Sequence, residues 1–246
     1  MWEIFHKKRY LADYLGGFVD MHNHILPGID DGAKTVEDSL KLIRGFQELG
    51  INRFIATPHI MQDYYPNTPA TIKSSRNLLA NQLLANKMID VVLEAAAEHM
   101  LDSNFENLLK EGEVMPVRNK YLLVEMSFYQ ETRNVETDLA AVFDAGYIPI
   151  MAHPERYSYL HTDLKNYEVY KRNGVLFQVN LLSLAGQYGK RIQEKAKELA
   201  EAGYVDFLGS DVHHVQQLDV IKETKLSREE LSLYLPLLEQ TIANFY

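Results

Sequence analysis

His22 and His24 stand one residue apart just beyond the apolar run that begins at Phe18. On an extended strand residues i and i+2 point to one face, so both imidazoles aim at a common point and can chelate a metal ion. Asp30 and Asp31 follow closely enough to add oxygen ligands. With nine histidines in the chain, such a pair also arises by chance, and its meaning depends on what else the fold places beside it.

The elements that would position such groups can be read along the chain. Short runs rich in Val, Ile, Leu and Phe at 18–22, 52–57, 90–96, 121–125, 147–152, 175–180 and 205–210 read as strands buried on both faces. Amphipathic segments fill the gaps. The first opens on Thr35-Val-Glu-Asp38, a capping box, carries Val36, Leu40, Ile43 and Leu49 at near-helical spacing, and stops at Gly50. Others run near 69–87, 103–111, 136–145, 164–173, 189–202 and 227–244, with Gly146, Gly174 and Gly203 ending three of them. Strands alternating with helices predict parallel βαβ units, and no linker or repeat divides them. The expectation is a single barrel-like α/β domain.

Barrel enzymes build their sites where the strands end, because the βα loops converge there. Strand one offers His22, His24 and Asp31; strand two ends on His59; strand three on Glu98 and His99; strand four on Glu125. Strand five gives His153 and Arg156, and strand seven Asp211, His213 and His214. One His or acid at a strand end is ordinarily a hydrogen-bonded or solvated side chain. Six such ends on one face would repel or stay unsatisfied without cations, so a multinuclear metal site is expected. Imidazole and carboxylate without thiolate suit Mn²⁺, Fe²⁺ or Zn²⁺. Such a site hydrolyses phosphate esters: the metals polarise the phosphoryl group and make hydroxide at neutral pH. Arg156 could fork onto two phosphate oxygens; its bland alternative is a salt bridge with Glu155 or a neighbour.

Composition narrows the choice. A formal charge of −9 argues against nucleic acid as the partner. The absence of Cys excludes thiolate metal sites and the cysteine-nucleophile route to phosphate esters. No P-loop or dinucleotide motif appears. No run approaches the length of a membrane span, and the basic, aromatic stretch Met1 to Tyr10 lacks the apolar core of a secretion signal. Residues 1–16 are expected to be a leader packed on a domain spanning 17–246, with the cytoplasm as location.

Four stretches together, Asp20 to Gly32, Ala56 to His59, Ala152 to Arg156 and Ser210 to His213, resemble the PHP (polymerase and histidinol phosphatase) superfamily. More narrowly, they are similar to its bacterial CpsB/CapC/YwqE-type protein-tyrosine phosphatases. The resemblance implies a distorted (βα)7 TIM-like barrel of the PHP fold, a single domain holding up to three metals, Mn²⁺ foremost with Fe, Zn or Mg as alternatives. By motif, His22, His24, Glu98 and Asp211 would hold the first metal. Glu98, Glu125 and His153 would hold the second, and Asp31, His59 and His213 the third. Asp31 matches better than Asp30, and Glu94 stands close to Glu98. The implied reaction is hydrolysis of protein phosphotyrosine by a metal-bridged hydroxide, with Arg156 on the phosphate and His59 as a candidate proton donor. The implied substrate is the tail of a bacterial tyrosine kinase controlling capsular or exopolysaccharide synthesis, and homo-oligomers occur in the family. A small-molecule phosphomonoesterase such as histidinol phosphatase is the runner-up; a nuclease or a non-catalytic kinase-binding module are further alternatives. One departure stands out: the second arginine of Gram-positive members after the Asp-x-His motif is missing, with only Lys222 at a distance. Of the loop aromatics Tyr64, Tyr65, Phe128, Tyr129, Tyr157 and Tyr159, one or two are expected to contact substrate.

Overall fold

A computed structural model describes residues 9–130 and 134–246. Residues 1–8 of the expected leader lie outside the described residues. In chain order the elements are β1 (Arg9–Tyr10), β2 (Val19–Asp20), α1 (Val36–Glu48), β3 (Arg53–Ala56), β4 (His59–Ile60), α2 (Pro69–Ala85), β5 (Val92–Ala95) and β6 (Glu98–Met100). Then follow α3 (Phe105–Glu111), β7 (Tyr121–Glu125), α4 (Val135–Asp144), β8 (Ile148–Ala152), α5 (Lys165–Arg172), β9 (Leu176–Asn180) and α6 (Leu181–Leu184). The chain closes with α7 (Lys190–Glu201), β10 (Phe207–Gly209), α8 (Val215–Glu223), β11 (Lys225–Leu226) and α9 (Arg228–Phe245).

All seven expected strands are present and parallel, in two connected sheets. One has the order β2-β3-β5 and the other β10-β9-β8-β7-β6-β4. Expected strands two and three are each broken in two, as β3 with β4 and β5 with β6. The break in the second falls at Thr57-Pro58, where proline has no N–H to give to a ladder. Of the first halves, β3 pairs with β2 and β5 with β3, while the second halves, β4 and β6, continue toward β7, which distorts the barrel at this side. Strand one meets strand seven through a parallel bridge between Asn23 and Val212. The buried Asp20 carboxylate reinforces that seam, accepting from Ser210 N–H at 2.9 Å and Ser210 Oγ at 2.6 Å.

The helices follow the residues that specify them. At α1 the Asp38 N–H donates to Thr35 Oγ1 at 3.2 Å while the Asp38 carboxylate accepts from Thr35 N–H at 3.1 Å, so the capping box forms as read. Gly146, Gly174 and Gly203 each take positive φ directly after a helix. Neither α6 nor α8 is among the expected helices. α8 starts at His214, which is not a strong capping residue, and Gln217 supplies the cap by accepting the His213 and His214 N–H groups at 2.7 and 2.9 Å. A large apolar layer lies between barrel and helices, around Phe46, Phe54, Tyr167 and Phe177. A second fills the barrel interior with Met21, Ile55, Leu123 and Ile150, closed at the bottom by Tyr121, Phe207 and Phe245. Residues 9–10 pair antiparallel with β11, and Leu11 and Leu15 are buried beyond them.

Candidate metal centre

The barrel interior ends in a polar layer. His22 and His24 lie past β2, where the chain still runs between its neighbours: His24 N–H donates to Val212 O at 3.1 Å and Asp211 N–H to His22 O at 2.8 Å. The alternation therefore persists, and the two Nε2 atoms come within 3.4 Å. Around them the barrel gathers Glu98 and Glu125 from β6 and β7, His59 from β4, His153 after β8, and Asp211 and His213 after β10. Asp31 reaches in from the loop after β2. All nine expected ligand residues are brought together, in four overlapping groups: His22–His24–Asp211, His22–Glu98–His153, His59–Glu98–Glu125 and His24–Asp31–His59–His213. Within each group the donor atoms lie no more than 4.8 Å apart.

The longer of the separations suit a shared cation, the shortest a direct pair. His59 Nδ1 is 2.8 Å from Glu125 and 3.1 Å from Glu98, and Asp31 is 3.4 Å from both His59 and His213. Ligands bound to one metal at about 2.1 Å are separated by roughly 3.0–3.4 Å along the edges of the polyhedron. Buried atoms of Asp31, His59, Glu98 and Glu125 find no hydrogen-bond partner, a costly condition that a metal removes. By this test the residues fit the implied metals.

Two pairs of neighbours differ in position. Asp30 accepts from His24 Nδ1 at 2.8 Å and from Gly32 N–H at 2.9 Å, so it orients a histidine while Asp31 faces the cluster. Glu94 is half-exposed and pairs with Arg118 at 2.9 Å, whereas Glu98 is fully buried among imidazoles. His99 points away from the centre: its Nδ1 donates to Leu123 O at 3.0 Å and its Nε2 accepts from Met115 N–H at 3.2 Å.

Sequence reading missed the outer contacts. β9, the one strand whose end carries no His or acid, supplies Gln178 and Asn180. Gln178 Oε1 takes the His22 Nδ1 proton at 2.6 Å, its amide donates to Asn180 Oδ1 at 2.9 Å, and Asn180 Nδ2 donates to Asp211 at 2.5 Å. His213 Nδ1 donates likewise to Asp211 O at 3.0 Å. With His24 on Asp30, three histidines thus carry the proton on Nδ1 and present Nε2 to the centre. Two of the gathered residues are strained, His153 at φ 35° and Asp211 at φ 53°.

Electrostatics reflect the crowding. Burial would push the Glu98 and Asp211 carboxyls up, but His22 with His59, and His22 with His24, hold them well below the usual range. Burial also favours neutral imidazoles, yet Asp30 lifts His24 to about 10, and Glu125 with Glu98 lifts His59 well above its ordinary value. The surrounding carboxylates thus favour the protonated forms of His24 and His59.

Beside it opens a cavity of about 230 Å³ lined by Asp31, His59, Glu125, Phe128, Arg156 and Tyr188 among others. Arg156 is mostly buried here and donates through Nη1 to Asp211 at 3.0 Å, not to Glu155. Of the loop aromatics, Phe128 lines the cavity and Tyr65 stacks on His59 at 5.5 Å. Tyr157 is fully buried, its hydroxyl spent on Met126 N–H and Ala152 O, so it is no substrate contact.

A parallel α/β barrel with clustered imidazoles and carboxylates at its carboxyl mouth, next to an arginine-lined cavity, defines a class: barrel proteins with a candidate multinuclear metal centre. Within that class the chain belongs to the CpsB/CapC family of capsular polysaccharide synthesis, whose profile matches residues 18–220. It is 32% identical to the tyrosine-protein phosphatase YwqE of Bacillus subtilis over 199 residues, 80% of this chain and 78% of the relative. It is 26% identical to the tyrosine-protein phosphatase CpsB of Streptococcus agalactiae over 80% of this chain and 83% of that one. Its fold matches a chain from the crystal structures of B. subtilis YwqE and Streptococcus pneumoniae CpsB, described as unique metal-dependent tyrosine phosphatases. The TM-score is 0.77 at 27% identity, over 93% of this chain and 95% of that chain.

Proposed function

We propose that this chain is a Mn²⁺-dependent phosphatase acting on phosphotyrosine in proteins, with the tail of a bacterial tyrosine kinase of capsular or exopolysaccharide synthesis as substrate. The observation that carries the reading is the convergence of nine donors, among them Asp31, His59, Glu98 and Glu125 with buried unpartnered atoms, beside a partly exposed guanidinium. We assign His22, His24, Glu98 and Asp211 to a first metal, Glu98, Glu125 and His153 to a second, and Asp31, His59 and His213 to a third. Metals held there supply Lewis acidity toward the phosphoryl oxygens and an activated water.

The chain's own residues do the rest. Arg156 binds the phosphate and takes up charge on its oxygens as the bond to the leaving oxygen lengthens. Gln178, Asp30 and the Asp211 carbonyl fix the tautomers of three histidines, so their free nitrogens need no reorganisation. His59 has carboxylates at both ring nitrogens, which suits a ligand. A phenol with pKa about 10 leaves with little proton assistance. Exposed Tyr64 and Tyr129, on the loops after β4 and β7, are available to a protein substrate. No helix among the described residues is long and apolar enough to cross a membrane.

The test is phosphate release from a phosphotyrosyl peptide after chelation and Mn²⁺ add-back, with a phosphoseryl peptide and histidinol phosphate alongside. Manganese-restored turnover of the tyrosyl peptide is expected. Turnover of histidinol phosphate alone would move the function to small-molecule hydrolysis.

A further inference from the structure

Arg156 is the one Lys or Arg lining the cavity among the described residues. Its guanidinium carbon lies 4.2 Å from the ring centroid of Phe128 and 4.2 Å from that of Tyr188. Both rings thus lie within cation–π distance of the one guanidinium. Nη1 is fixed on Asp211 at 3.0 Å, while Nε and Nη2 have no acceptor among the described residues. Tyr188 comes from the turn between α6 and α7, between Gly186 and Gly189, which both take positive φ.

We propose that Tyr188 and Phe128 are positioning residues that bracket Arg156 and hold it as a preformed fork for phosphate. The inference rests on the proposed phosphatase site and adds the residues that hold its arginine. A guanidinium held against ring faces on a flexible stem loses little further rotamer freedom when phosphate arrives, and its two free donor positions match two phosphate oxygens. The ring faces matter to this role and the Tyr188 hydroxyl does not.

The experiment is titration of inorganic phosphate into manganese-loaded protein by calorimetry, with metal content measured on the same samples. Tyr188→Leu should weaken phosphate binding about five- to tenfold at unchanged metal content. Tyr188→Phe should restore it to near the wild-type value. Phe128→Leu should behave as Tyr188→Leu does and serves if the latter does not fold. Wild-type phosphate affinity in both leucine variants would overturn the bracket, as would loss of metal in parallel with phosphate, or no phosphate binding to the wild type. Bracket-dependent phosphate binding without hydrolysis of phosphotyrosyl peptides would instead overturn the proposed function and leave the bracket standing.

Discussion

At the scale of residues, the centre is a problem of protons as much as of geometry. His24 and His59 are held protonated in the metal-free protein by the carboxylates around them, and a metal accepts only the neutral imidazole. Binding must therefore expel protons, and affinity must fall as pH falls. Calorimetry of Mn²⁺ binding at pH 7 in buffers of different ionisation heat should show about one proton or more released per metal. Buffer-independent heats would mean that the histidines are already neutral. The outer contacts make a second prediction. Gln178→Leu removes the acceptor of the His22 Nδ1 proton, frees the other tautomer and should weaken metal binding by about 10- to 100-fold without unfolding the barrel. The nine inner residues were legible because six strand ends together carry His, Asp or Glu, and the family resemblance picked the ligand set from among them and their loops. Gln178 and Asn180 were not, since an amide in a strand has no signature until its neighbours across the barrel are known. Tyr188 was hidden among fifteen tyrosines.

At the scale of elements, two close approaches set the shape of the mouth. A Cβ on Gly209 would lie 2.8 Å from His22 Cβ and 3.0 Å from Gln178 Nε2; one on Gly32 would lie 2.1 Å from His24 O. Gly209→Ala should therefore push β10 from the His22 segment, costing about 1–3 kcal/mol by denaturant unfolding and lowering metal content. A variant that kept both would show that the seam yields freely. His99 ties β6 to β7 and the Val114–Met115 segment only in its neutral form, because Nε2 must accept. Burial pulls it from 6.5 down to about 4. Above pH 6.5 folded and unfolded states are both neutral there, and its contribution is fully present. Between 6.5 and 4 the unfolded chain takes up a proton that the native state refuses, so stability declines by roughly 3 kcal/mol in all. In chelated protein, Tm should fall more steeply over this window for the wild type than for His99→Asn; equal slopes would remove His99 from the account. Strand and helix positions were readable from apolar runs, capping and terminal glycines. The broken strands and α8 were not: a two-residue strand leaves no periodicity, and α8 buries only Leu218 and Ile221.

At the scale of the molecule, the fold sinks a dense set of ionisable groups into one end of a barrel and relies on cations to neutralise them. The charge of −9 accords with such a cation-binding protein. Metal that binds only the native state stabilises it by mass action. Chelation should thus lower Tm by several degrees while secondary structure persists, because protonated His24 and His59 offset the carboxylates around them when the metals leave. The central claim is that this shared cluster is the hydrolytic machinery, and one titration addresses it most directly. Chelated protein is loaded stepwise with Mn²⁺, with bound metal per chain and phosphate release from a phosphotyrosyl peptide measured on the same samples. Turnover that appears only as more than one metal binds each chain, and levels off by about three, is the expected result. Full activity with a single metal, or a loaded centre that releases no phosphate, would contradict the account.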